Sequence, residues 1–111
     1  MLIDESPEQA LKEYDIAGNL AEVLIKHYPA HLWGVNVDLR GGIVQVTNMR
    51  LSGRWGFVLL LKDVLADTTN RLIINAGGEL LERYRMKRTG FDEAQYENLK
   101  TDKLGDFIAE K

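Results

Sequence analysis

His27 and His31 stand four residues apart, the spacing at which two helical side chains can share a metal ion. Pro29 lies between them and biases the chain away from helix, so the two rings are not expected on one face. Cysteine is absent, which removes thiolate ligands, iron–sulfur clusters, disulfides and cysteine nucleophiles together. Ordinary interface or helix-end histidines are therefore expected, with no metal and no cofactor. The only two serines, Ser6 and Ser52, sit where a helix cap and a turn are wanted, and neither lies in a Gly-x-Ser-x-Gly elbow. Gly41-Gly42 and Gly77-Gly78 lack the Gly-Lys-Ser/Thr sequence or spaced glycines of a phosphate loop. The carboxylate pairs Asp63/Asp67 and Glu79/Glu82 fall on one helical face, where such groups are usually solvated, without the burial that raises a pKa for acid work. No residue is assigned a catalytic role.

Charge distribution is the remaining chemical signal. Residues 1–30 carry two lysines and six acids, residues 31–90 nine cations and five acids, and residues 91–111 three lysines and six acids. The overall charge of −3 thus conceals a basic middle between acidic ends. Arg83, Arg85, Lys87 and Arg88 crowd within six residues, and Arg50 and Arg54 flank an expected turn. With Trp33 and Trp55, these six form the candidate binding set. One reading is local: cations gather at a helix C-terminus because its dipole favours them, and the acidic tail folds over them. The other is a docking surface for an acidic partner, such as a neighbouring subunit, another protein or a phosphate backbone. The expectation is a structural or interaction protein that self-associates or docks onto a larger assembly. The alternative is a nucleic-acid-binding accessory protein, which the net negative charge disfavours.

The elements that would position these residues read as an α+β fold. Ser6-Pro7-Glu8-Gln9 supplies an N-cap, a proline at the first helical position and a capping-box glutamine. Leu11, Tyr14, Gly18, Ala21, Ile25 and Tyr28 then recur at steps of three and four as an apolar stripe, opposite Glu8, Lys12, Asp15, Asn19, Glu22 and Lys26. Trp33, Val35, Val37 and Leu39 alternate as a strand, Arg40-Gly41-Gly42 turns the chain, and Ile43 to Thr47 returns. The alternation slips at Ile43-Val44, leaving the register or a bulge open there. Ser52-Gly53 is a two-residue turn candidate leading to a third strand from Arg54. A competing reading makes Ser52 the cap of a helix through Leu65, and the changeover is placed near Leu60.

Asp67-Thr68-Thr69-Asn70 announces a second long helix. Its period survives Gly77-Gly78, although two central glycines cost about 1 kcal/mol each relative to alanine unless a tight contact against another backbone offsets them. The alternative is a strand over 71–75 followed by a helix from Glu79. Thr89-Gly90 should end the element, and Phe91-Asp92 should open a short helix with Phe91 stapled onto Tyr96.

With 111 residues, 45% of them apolar, residues 1–100 are expected to form one globular domain with its own core. Residues 101–111 form a polar tail expected to be mobile, with Leu104, Phe107 and Ile108 as a docking point. The acidic N-terminus is unlike a secretory signal, and the longest apolar run, Trp55 to Leu61, is far short of the ~20 residues that span a bilayer. The expected location is intracellular, with no membrane partner.

The segment His31-Leu32-Trp33-Gly34-Val35-Asn36-Val37-Asp38 through Ile43–Asn48, and then Ala76-Gly77-Gly78-Glu79-Leu80-Leu81-Glu82-Arg83-Tyr84, resembles small proteins of tailed bacteriophages and prophages. The likeness spans the middle two thirds of the chain and carries no catalytic positions. It implies a virion-associated or assembly role, with other virion proteins or further copies of the chain as partners.

Overall fold

The computed structural model describes residues 6–88 and the backbone of residues 106–110. The order is α1 (Pro7–His27), β1 (Trp33–Asp38), β2 (Ile43–Asn48), β3 (Arg54–Leu60), α2 (Leu61–Ala66), α3 (Arg71–Arg88) and β4 (Asp106–Glu110). The expected cap opens α1: Ser6 Oγ accepts from the Gln9 amide at 3.1 Å, with Pro7 at the first helical position. The helix ends at His27, two residues before Pro29.

The strands form one antiparallel sheet in the order β1-β2-β3-β4. Asp38 pairs with Ile43 and Val37 with Val44, so the register runs unbroken through the position where the alternation slips. No bulge forms there; Ile43 faces away from the core while Val44 and Val46 are fully buried. Gly42 closes the turn at φ 69°, and the Gly41 amide bonds Asp38 Oδ1 at 2.9 Å. The second connection is longer than two residues, spanning 49–53. Asn48 Oδ1 accepts from the Arg50 amide at 3.0 Å and bends the chain early, and Gly53, at φ 89°, completes the reversal. Strand gives way to helix between Leu60 and Leu61.

Part of the expected tail adds to the sheet: Asp106–Glu110 pairs antiparallel with β3, Phe57 opposite Phe107. The cap at Thr89-Gly90, the helix from Phe91 and residues 101–105 lie outside the described residues.

All helices described cover one face of the sheet, α1 on β1, α3 on α1 and β3, and α2 on β2 and β3. Beneath them lie Trp33, Val37, Val44, Val46, Trp55, Phe57 and Leu59. Among the described residues no helix is long and apolar enough to cross a membrane.

The two long helices differ from the sequence pattern in instructive ways. In α1 the buried residues are Leu20 and Leu24, flanked by half-buried Ile16, Ala17 and Val23. The stripe through Leu11, Tyr14 and Ile25 is exposed instead, at 63%, 76% and 48%. At 3.6 residues per turn the two apolar stripes lie roughly a third of a turn apart, and only one can face the sheet. In α3 the helix runs unbroken through Gly77 and Gly78. A Cβ on Gly77 would lie 3.1 Å from the Tyr28 ring and 3.2 Å from Leu24, and one on Gly78 only 2.9 Å from the Tyr28 hydroxyl. That hydroxyl donates to Ile74 O at 2.7 Å and accepts from the Gly78 amide. It therefore meets both ends of one helical rung, an approach that side chains at 77 and 78 would block. The close contact is made by side chains of α1 and β1, Trp33 among them, rather than by another backbone.

Candidate interaction surfaces

The basic cluster does not form one surface. Arg83 continues the inward series Ile73, Ala76 and Leu80, is 1% exposed, and gives its Nε to Glu79 Oε2 at 3.0 Å. Burial and the ion pair withdraw it from any partner outside the fold, so the sequence placement of Arg83 in a surface patch is corrected. Arg85 is exposed and bonded to Glu82 one turn back. Arg85 holds the Glu82 carboxyl below the usual range, and the same hydrogen bond raises the guanidinium further. Lys87, Arg50 and Arg54 are exposed, and the Arg88 side chain lies outside the described residues. The connection carrying Arg50 does approach α3, since the Ser52 amide reaches the Tyr84 hydroxyl at 3.4 Å.

Trp33 and Trp55 are core residues, 7% and 4% exposed. Trp33 packs against Tyr28 at 5.8 Å between ring centroids, and Trp55 meets Tyr84 edge-on at 5.3 Å. Neither offers a face for stacking a base. His27 is exposed and His31 half-buried beside Trp33. Among the described residues no three histidines or carboxylates gather as a metal site.

Two other features come together on one side of the molecule. The first is the outward ladder of α1. Leu11, Tyr14 and Ile25 stand exposed along it, with Gly18 and Ala21 between them, and nothing lies within 4 Å of where a Gly18 Cβ would be. The second is β1, which has no strand on its outer side among the described residues. A groove of about 210 Å³ separates the two, lined by Ala10, Glu13, Tyr14 and Ala17 from the helix and by residues 35–37 from the strand. Glu13 bridges its end, accepting the Leu39 amide at 2.8 Å.

The sequence pattern contained this ladder but did not show which way it faced. The signal that could have revealed it is the second stripe, Ile16, Leu20, Val23 and Leu24, which competes for the sheet with larger aliphatic residues. No protein-family model, curated protein or solved structure matches the chain.

Proposed function

We propose that this chain is an interaction protein that self-associates or docks onto a larger assembly, and that α1 presents the contact. One observation carries the reading: three large apolar side chains stand exposed along one line of a well-capped helix that has already buried a different stripe. Isolated exposed apolar residues are ordinary, but several on one line of one helix favour a protein contact. The distribution of charge supports the same direction. Arg83 and Arg85 are engaged by acids of their own helix, which moves the weight of the proposal from a basic patch to the apolar ladder. The likeness to phage-encoded proteins makes a virion or its assembly the setting we favour.

Sedimentation velocity over a wide concentration range tests the self-associating form. The wild-type chain is expected to associate, and a double variant Leu11→Glu/Ile25→Glu to sediment as a monomer with an unchanged melting curve. A wild-type chain that stays monomeric at high concentration would remove that form of the proposal.

A further inference from the structure

We infer that the occupant of this surface is a second copy of the chain, joined across a two-fold axis that pairs β1 with β1 and α1 with α1. The inference rests on the self-associating reading above and specifies its geometry.

Backbone direction comes first. The Met49 amide bonds Leu32 O at 2.7 Å, which marks residues 32 and 49 as a hydrogen-bonded pair. Such pairs alternate along an antiparallel ladder, so Gly34, Asn36 and Asp38 turn their backbone groups toward β2. Trp33, Val35, Val37 and Leu39 turn theirs outward. The Leu39 amide confirms the assignment, because it is the one Glu13 caps. The outward amides of Val35 and Val37 meet no such cap among the described residues. An uncovered run of this kind is a template for another strand.

One register on the helix and one on the strand then place a two-fold axis at the same level. On the helix, the ladder follows a heptad, with Leu11, Gly18 and Ile25 at one position and Tyr14 and Ala21 at the other. An antiparallel pairing of two such ladders that sets Tyr14 against the partner's Ile25 also sets Gly18 against the partner's Ala21. The axis then falls between Asn19 and Leu20. On the sheet, bonded pairing of Val35 with the partner's Val37 puts the axis at Asn36. Glu13 lies beside Leu39 and Tyr28 beside Trp33, so α1 runs antiparallel to β1. Midway between those two contacts, Asn36 is level with Leu20 and Ala21. The two estimates agree to within about one residue of helix, roughly 1.5 Å.

Size agrees as well. Strands pair about 4.8 Å apart, which brings the helices lying over them toward the short end of the 8–10 Å packing range. That approach needs small residues at the crossing, and Gly18 and Ala21 are the residues there. The result is a continuous eight-stranded sheet with the groove closed between the two copies.

A single cysteine tests this directly, because the chain has none of its own. At the axis Asn36 faces itself as a non-bonded pair with Cα atoms about 4.5 Å apart, inside disulfide range. Asn36 is exposed, so Asn36→Cys leaves the core untouched. Oxidation with diamide is expected to convert most of the variant to a covalent dimer, while Gln45→Cys, exposed on neighbouring β2, stays uncrosslinked. An associating protein in which Asn36→Cys does not crosslink, or crosslinks no faster than Gln45→Cys, overturns the geometry and leaves self-association standing. A wild-type chain that never associates overturns both.

Discussion

Glycine occupies the middle of both long helices, and the two sites have opposite surroundings. In α3, Gly77 and Gly78 make room for Tyr28, whose ring lies 3.1 Å from a Cβ at one site and whose hydroxyl lies 2.9 Å from a Cβ at the other. In α1, Gly18 has nothing within 4 Å. Each glycine costs its helix about 1 kcal/mol relative to alanine. In α3 that cost is offset inside the subunit, by the packing of Leu24, Tyr28 and Trp33 and by the hydroxyl that bonds the Ile74–Gly78 rung. In α1 nothing among the described residues offsets it. A small residue without a local reason, placed in an exposed apolar ladder, is what a contact outside the subunit requires.

The largest effect that would break this contrast lies on α1 itself, between adjacent residues. Leu24 is fully buried and Ile25 is 48% exposed. Leu24→Ala should lower unfolding free energy by about 2–5 kcal/mol, through lost burial and the cavity left behind. Ile25→Ala should change monomer stability by less than about 0.5 kcal/mol while weakening self-association. Urea denaturation of each variant at low concentration, paired with sedimentation, separates the two flanks. Equal destabilisation would mean that both stripes are core and would remove the ladder.

The next effect concerns how α3 uses its glycines. Tyr28→Phe keeps the ring and deletes the hydroxyl, and should cost about 0.5–1.5 kcal/mol. Burial raises the Tyr28 pKa above its ordinary 10.0, opposed by the hydrogen bond from Gly78. The folded state therefore holds this proton more tightly than the unfolded chain does. The resulting stability is fully present below pH ~10 and is lost as pH rises through the higher folded-state value. Urea midpoints should fall across that alkaline window in the wild type, and more gently in Tyr28→Phe. Parallel falls would show that the hydroxyl is not held in the rung.

Much of this architecture is legible locally. Ser6 to Gln9 mark the start of α1, the change from Trp55-Gly56-Phe57 to Lys62-Asp63 marks the switch near Leu60, and the period of α3 runs through its glycines. What is not legible depends on tertiary choice. Two stripes on α1 satisfy helical periodicity, and only the presence of β1 decides between them. Arg83 stands four residues after Glu79 and three after Leu80, so spacing hints at a buried ion pair, but charge alone reads as surface. Phe107 and Ile108 mark a docking point in the tail, but not its partner, because the paired residues of β3 lie 48 to 56 positions earlier. The candidate surface follows the same division: the ladder residues are present in the sequence, while their exposure and the strand edge beside them come from the fold.

The smallest effect sharpens the comparison most. Gly18→Ala adds a methyl group where, beyond its own stretch of α1, no atom of the described residues lies within 4 Å. Helix propensity alone should raise the stability of the isolated monomer, by up to about 1 kcal/mol. At the crossing of two helices the same methyl group enters the contact with the partner's Ala21 and should weaken association. Stability and association are therefore expected to move in opposite directions, a signature that neither a buried nor a merely solvated glycine produces. Thermal melts at low concentration and sedimentation at high concentration read the two quantities separately. If association is unchanged while stability rises, Gly18 lies outside the seam and the helix crossing must be placed elsewhere along α1.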